Sequence, residues 1–301
     1  MEKQTIKTVE YPVEAPSPLL PFLLERVRGK SRNAVKSLLL NRQVWVDGKA
    51  VSRHDFALTP GMRVTLLPPG DARAHKPPFP ILYQDDALIA IDKPAGLLTV
   101  ANEREKERTA YRKLSDFLGD QGSQKSLFVV HRLDMDTSGV VIFARTDKMK
   151  YALQDDWNAL VKCRAYLAIV EGAPPQPSGT VRSWLLETAN HTVYSGGEKS
   201  GGKEAVTRYQ ALAHKGGYTL LRVELDSGRK NQIRVHMKDL GCPILGDKKY
   251  GNGDWKVLGR LGLHACELAF TDPRNGQALD LIAPPPREFL QRFPTLYKTL
   301  K

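Results

Sequence analysis

Nine consecutive residues, His131-Arg132-Leu133-Asp134-Met135-Asp136-Thr137-Ser138-Gly139, constrain the fold of this chain more than any other stretch. They stand between an apolar lead-in, Leu127 to Val130, and a longer apolar run, Val140 to Ala144. Both flanks read as buried strand. An imidazole, a guanidinium and two carboxylates do not belong unpaired in a sheet interior, where each isolated charge costs several kcal/mol or more. The motif is therefore expected in a turn at a strand end, facing a cleft. Taken alone, an Asp-x-Asp-Thr-Ser-Gly segment reads as a structural turn or cap. Segments farther along the chain decide whether it does more.

The 301 residues suffice for one large domain plus a small one. A 41% hydrophobic fraction supports a core, and 8% aromatic residues argue against disorder. Lys and Arg number 45 against 33 acidic residues, a net charge of +12 that suits a polyanionic partner. The three cysteines, Cys163, Cys242 and Cys266, are far apart with no Cys-x-x-Cys pairing, which disfavours a disulfide framework or structural zinc and fits a reducing cytoplasm. The acidic, proline-bearing N-terminus does not read as a signal peptide. No apolar run approaches the roughly 20 residues of a membrane span. A soluble monomer of the cytoplasm is expected.

Residues 1–17 read as an extended tail. A small module follows over 18–69, where Ser31 caps a helix bearing Val35, Leu38 and Leu39 at i, i+3 and i+4. Arg26, Arg28, Lys30, Arg32, Lys36 and Arg42 crowd the same stretch off that stripe. A strand over Gln43–Val46, an Asp47-Gly48 hairpin turn and a strand after Pro60-Gly61 complete the module. Proline-rich residues 70–80 read as a linker, and 81–301 as the second domain. There, strands are expected at Ile81–Tyr83, Leu88–Ile91 and Tyr166–Val170, and on the alternation of Thr219, Leu221, Val223 and Leu225. A helix from Asp147 to beyond Leu160 precedes the strand containing Tyr166. Strands joined by short turns outnumber helices, so the expected class is α+β, with a mixed, mainly antiparallel sheet behind a small α/β module.

The second domain resembles the RluA-type pseudouridine synthases, enzymes that isomerise uridine within RNA. The resemblance is carried by Lys93-Pro94-Ala95-Gly96-Leu97, by the motif from His131 to Gly139, and by Lys162-Cys163-Arg164-Ala165-Tyr166-Leu167-Ala168. It continues through Gly228-Arg229-Lys230-Asn231-Gln232-Ile233-Arg234-Val235-His236, Gly241 to Asp247, Leu263-His264-Ala265 and Ala283-Pro284-Pro285. The first module, with Val44-Trp45-Val46-Asp47-Gly48-Lys49 after a basic helix, resembles the S4 RNA-binding domain.

The resemblance implies that Asp134 is the catalytic carboxylate, acting at ribose C1′ while the bond to uracil N1 is exchanged for one to C5. A carboxylate suits a sugar carbon gaining oxocarbenium character. Direct attack on C1′ and a glycal route through loss of the 2′ proton both remain open. Arg234 is implied to pair with Asp134, and such a pairing lowers a carboxylate pKa by roughly 1–3 units, keeping Asp134 ionised. Tyr166 is implied to stack on the flipped uracil or to act as a general acid or base. Arg132 is implied to contact RNA where the base leaves its stack. Arg229 and Lys230 join Arg132 and the cations of the first module as candidate RNA contacts. His131 reads as a structural residue orienting the turn, and His236 as a core histidine. Asn231 departs from the family pattern, standing where many relatives carry His.

The isomerisation is redox-neutral and moves no external group, so no cofactor or metal is implied. RNA is the expected partner, most of all large-subunit ribosomal RNA, with transfer RNA the alternative. Two other classes compete. A non-catalytic RNA-binding or ribosome-assembly protein on the same fold would tolerate loss of Asp134, which is present. A nucleoside or glycoside hydrolase needs a second carboxylate to activate water, for which Asp136 is the only near candidate.

Overall fold

The computed structural model of the chain describes residues 8–27, 29–40, 43–51, 53–68, 77–103, 105–120 and 127–294. Its elements divide into two compact units, one drawn from Met1–Pro78 and Lys113–Ser126, the other from Phe79–Arg112 and Leu127–Lys301.

The first unit opens with strand β1 (Val9–Pro12), β2 (Ser17–Pro18) and helix α1 (Leu19–Arg26), in which Pro21 is tolerated because the first helical turn leaves its N–H groups unpaired. Helix α2 (Arg32–Leu40) follows, its start capped by Ser31, whose hydroxyl accepts from the Ala34 N–H at 3.2 Å. Strands β3 (Val44–Val46), β4 (Lys49–Ala50), β5 (Ala57–Leu58) and β6 (Arg63–Leu66) complete it. Asp47 and Gly48 both take positive φ, 47° and 77°, as a two-residue hairpin turn between β3 and β4 requires. The sheet order is β1-β6-β3-β4, and β2 pairs with β5. Leu19, Leu20, Leu23, Val35, Leu39, Val44 and Val64 are buried together beneath it.

Two expectations are corrected here. Residues 9–12 are not tail, because Val9–Pro12 pairs antiparallel with β6 at the sheet edge, where Pro12 sits at the strand's end. Helix α1 is not predicted by periodicity, since its apolar residues, among them Leu19, Leu20, Phe22 and Leu23, run nearly continuously and hide the helical period.

In the second unit, β7 (Ile81–Gln84) and β8 (Leu88–Lys93) form a hairpin broken at Asp85 and Asp86. Helix α3 (Ala110–Asp120) spans the boundary between the units. Then come β9 (Phe128–Val129), β10 (Ser138–Ala144), α4 (Asp147–Asp155), α5 (Trp157–Leu160), β11 (Val161–Glu171), β12 (Ser178–Glu187), β13 (Val193–Gly196), β14 (Lys203–Lys215), β15 (Tyr218–Leu225), α6 (Gln232–Asp239), β16 (Leu263–Thr271), β17 (Ala278–Ile282) and α7 (Arg287–Arg292). They build an 11-stranded sheet, ordered β13-β12-β14-β15-β11-β16-β10-β8-β7, with β17 beside β16 and β9 beside β10. Among the described residues β10 with β16 is the one parallel strand pairing, so the mixed, mainly antiparallel α+β class is observed.

Strand β10 is buried along its whole length, as its apolar run demands. Its entry into the sheet depends on one glycine. Gly139 has φ +114°, and a Cβ there would stand 2.0 Å from the Ala265 carbonyl oxygen of β16. The single helix expected after Asp147 is instead two, interrupted at Asp156, and β11 begins at Val161 rather than near Tyr166. Tyr166 therefore lies mid-strand, at a register shift in the pairing with β16, where a bulge re-aims the side chain.

Candidate active site

The polar motif forms the turn between β9 and β10, and its neighbours tie it down residue by residue. Thr99 Oγ1 donates to the Leu133 carbonyl at 2.9 Å and accepts from the Leu133 N–H at 3.1 Å. The fully buried Lys93 ammonium, at the end of β8, donates to the carbonyls of Pro94, Leu97 and Met135. Burial pulls the Lys93 pKa down to about 7, against the opposing charge of Asp136. His131 Nε2 accepts the Ile142 N–H at 3.1 Å, and burial holds its pKa at about 4, so the ring is neutral and structural. Ser138 Oγ lies 2.7 Å from His264 Nδ1 and accepts from Arg260 at 2.6 Å. Sequence reasoning missed Thr99, Lys93 and Arg260, of which only Lys93 lay in a recognised motif.

The pinned turn presents Asp134 where two clefts meet. One, of 80 Å³, is lined by Asp134, Tyr166, Leu225, Gly228, Ile233 and Leu263. The other, of 350 Å³, runs past Val100, Asn102, Met135, Lys248 and Trp255. Arg132, Asn231 and Arg234 border both. Arg132 is exposed at this mouth.

Arg234, on α6, points a guanidinium at Asp134, with Nη1 3.7 Å from Oδ2. Its two shorter bonds go elsewhere. Nε and Nη2 each donate to the buried Asp247 carboxylate at 2.7 Å, and Nη1 donates to Asn231 Oδ1 at 3.3 Å. Asp247 Oδ1 also accepts the backbone N–H groups of Lys249 and Tyr250. Burial pushes the Asp247 carboxyl up, but its bonds to Arg234 and those amides outweigh burial and leave its pKa lowered.

Asp134 responds in the opposite sense. Burial pushes its carboxyl up, and the charges of Arg234, Arg132, Lys93 and Lys230 reduce that rise without reversing it. The lowered pKa expected from an Arg pairing is thus corrected: at 3.7 Å, with its charge shared with Asp247, the guanidinium does not offset the loss of water. Burial likewise raises the Tyr166 phenol to about 12, which keeps it protonated at neutral pH, a weaker acid than a free phenol but able to donate a hydrogen bond.

Other candidates are scattered. Lys230 pairs with Glu187, and Arg229 donates to the Glu204 carbonyl at 3.0 Å; both border a 540 Å³ groove near Lys203. Arg26, Lys30, Arg32 and Lys36 are exposed on the first unit, while Arg28 and Arg42 lie outside the described residues. Both ring nitrogens of His236 are bonded in the core, to Ser183 and Thr207. Among the described residues no group of three His, Cys, Asp or Glu side chains is placed to hold a metal ion.

Comparison with known proteins bears on this site. A family model described as RNA pseudouridylate synthase matches residues 87–239, which hold Asp134, Tyr166 and Arg234. An uncharacterized RNA pseudouridine synthase of Synechocystis sp. is 33% identical over 89% of this chain and 85% of its own length. The chain belongs to the RluA-type RNA pseudouridine synthases. Similar too are the ribosomal large subunit pseudouridine synthase D of Xanthomonas campestris, 31% identical over 87% of the chain and 83% of that protein, and the dual-specificity RNA pseudouridine synthase RluA of Vibrio cholerae, 33% identical over 68% and 82%. Among solved structures, human RNA pseudouridylate synthase domain containing 4 matches with a TM-score of 0.58 and 27% identity, covering 71% of this synthase and 92% of that chain. Asp247, which anchors Arg234, falls beyond the stretch matched by the family model.

Proposed function

We propose that this synthase isomerises specific uridines of structured RNA, most of all large-subunit ribosomal RNA, with Asp134 as the reacting carboxylate. The observation that carries the reading is the placement of Asp134 at the junction of two clefts, 3.7 Å from Arg234, with Tyr166 lining the same wall. A uridine flipped from its stack brings C1′ to Asp134 while its base enters beside Tyr166. The C1′–N1 bond breaks, the base turns, C5 joins C1′, the C5 proton leaves to solvent and N1 gains a proton. Asp134, by direct attack or by stabilising the cationic sugar, serves the first step, and the protonated Tyr166 phenol is available to the base. Large-subunit ribosomal RNA is favoured by the Xanthomonas relative's name, and by a first unit that we read as an S4-like module over residues 18–69, whose exposed Arg26, Lys30, Arg32 and Lys36 take phosphates. Arg132, at the mouth of the site, and Arg229 and Lys230, beside the groove near Lys203, give the second unit RNA contacts of its own. We further propose that the synthase acts in the cytoplasm as a monomer.

Release of tritium from C5-labelled uridine in ribosomal RNA tests it. Asp134→Asn is expected to lower release at least about 10³-fold while RNA affinity stays within a few-fold. Wild-type release from that variant removes Asp134 from its role, and free uracil among the products points to hydrolysis instead. Mapping pseudouridines across total RNA with and without the gene identifies the target, and a site confined to transfer RNA overturns the ribosomal assignment.

A further inference from the structure

Arg234 is tied more closely to Asp247 than to Asp134, and this asymmetry bears on how Asp134 stays reactive. A guanidinium offers a carboxylate its best grip along the edge formed by Nε and one Nη, where two parallel N–H bonds are made. In this synthase that edge is turned toward Asp247, at 2.7 Å for both bonds. Asp247 is itself fixed, being fully buried and accepting the N–H groups of Lys249 and Tyr250. The remaining nitrogen, Nη1, is steered by Asn231, which takes a left-handed backbone at φ 54° just before α6 and whose Nδ2 donates to the Tyr250 hydroxyl at 3.1 Å. What reaches Asp134 is one nitrogen at 3.7 Å, beyond hydrogen-bond length. Among the described residues no hydrogen bond is made to the Asp134 carboxylate.

We infer that Asp247, with Asn231, is a positioning residue that holds the Arg234 guanidinium back from Asp134, keeping the reacting carboxylate's oxygens unbonded and free for ribose C1′. The inference rests on Asp134 being the reacting group. Without Asp247 the guanidinium has a single carboxylate left to satisfy. It closes onto Asp134 edge-on, covers the oxygens that must meet the sugar and deepens their stabilisation as an ion pair. The groups facing Asp134 are then Arg234 from α6, Lys230 just before it, Arg132 from its own turn, Lys93 from β8 and Tyr166 from β11. Of these only Arg234 changes place.

The test is single-turnover tritium release at saturating enzyme, followed across pH, for wild type, Asp247→Asn and Asn231→Ala. Asp247→Asn is expected to lower the saturating rate at least about tenfold and to leave the enzyme concentration for half-saturation unchanged, because a fully buried side chain does not meet RNA. Its acidic limb should move to lower pH by roughly one unit, the size of effect a newly closed opposite charge exerts. Asn231→Ala should move the limb the same way by less, with a rate loss of a few-fold, and it carries the test if Asp247→Asn does not fold. A merely structural role does not move the acidic limb. Folded variants with wild-type rate and limb overturn the inference, as does a loss confined to half-saturation. Asp134→Asn run alongside separates the two readings. If it is inactive while Asp247→Asn behaves as wild type, only the positioning role fails; if it is active, the choice of reacting group fails first.

Discussion

The turn from His131 to Gly139 and the basic helices of the first unit hold charge in opposite ways. In the turn, His131, Leu133, Met135 and Ser138 are each tethered by a hydrogen bond from outside the turn, and the carboxylates of Asp134 and Asp136 are half-buried, Arg132 alone of its charged groups standing exposed. On the first unit, Arg26, Lys30, Arg32 and Lys36 stand exposed. The difference fits the division of labour proposed above. Exchange of a glycosidic bond at one atom fails when the reacting group is misplaced by about an ångström. Attraction of a polyanion needs only density of charge, and works from side chains that move freely.

The sharpest way to break this contrast is to unpin the turn without touching a charge. Gly139→Ala would place a methyl group 2.0 Å from the Ala265 carbonyl oxygen, at a φ of +114° that an alanine resists. Strands β10 and β16 meet in parallel at this point, so relief requires the sheet to part. A loss of about 4 kcal/mol or more is expected, the exceptional end of single substitutions. Calorimetry should show the second unit's transition lost or moved down by 10 °C or more, at about 2–4 °C per kcal/mol. A shift under about 2 °C would show that the turn tolerates slack.

What the amino-acid order revealed follows the same division. Strand β10 was legible because it is buried on both faces and therefore continuously apolar, and the Asp47-Gly48 hairpin because both residues accept positive φ. Strand β14 was not, since its exposed ends carry Lys, Glu and His while only its middle is buried. Strand β16 is legible only as a motif around His264, because Ala265, Cys266, Glu267 and Ala269 interrupt the apolar run of Leu263, Leu268 and Phe270. At the site, Asp134, Tyr166 and Arg234 were named from segments that carry a resemblance and do line one pair of clefts. Asp247 closes one of those segments but carries no role in sequence, as nothing in local periodicity foretells that a carboxylate thirteen residues on will bind both Nε and Nη2 of Arg234. The sign of the Asp134 shift escapes the sequence for a related reason. Pairing was visible in sequence, whereas burial and the sharing of the cation were not.

A smaller effect is read by pH in the second unit. His131, His236 and His264 are all held at about 4 by burial, with their ring nitrogens bonded to Ile142, to Ser183 and Thr207, and to Ser138. A histidine whose folded pKa lies below its unfolded value of about 6.5 contributes stability that is complete above 6.5 and lost as pH falls toward 4. The second unit's melting temperature should therefore drop by several degrees between pH 7 and 4.5, with a steep region below 6.5. A melting temperature that stays flat across that range would mean these rings are charged without cost.

The smallest effect concerns the exposed cations, and it sharpens the contrast most directly. Arg32 and Lys36, on α2, have no fixed geometry to defend, so replacing both with Ser should leave the fold and the turn intact. Each phosphate contact adds a little under one unit to the slope of log affinity against log salt. The double variant should therefore lower the slope for ribosomal RNA by roughly 1–2 and weaken binding several-fold near 0.1 M salt. Its tritium release at saturating enzyme should remain within about twofold of wild type, because charge spent on attraction is absent from the chemical step. If the slope stays put, these residues do not meet RNA. If the saturating rate falls tenfold instead, the first unit orients the uridine as well as attracting the strand that carries it, and charge on the two units does one job rather than two.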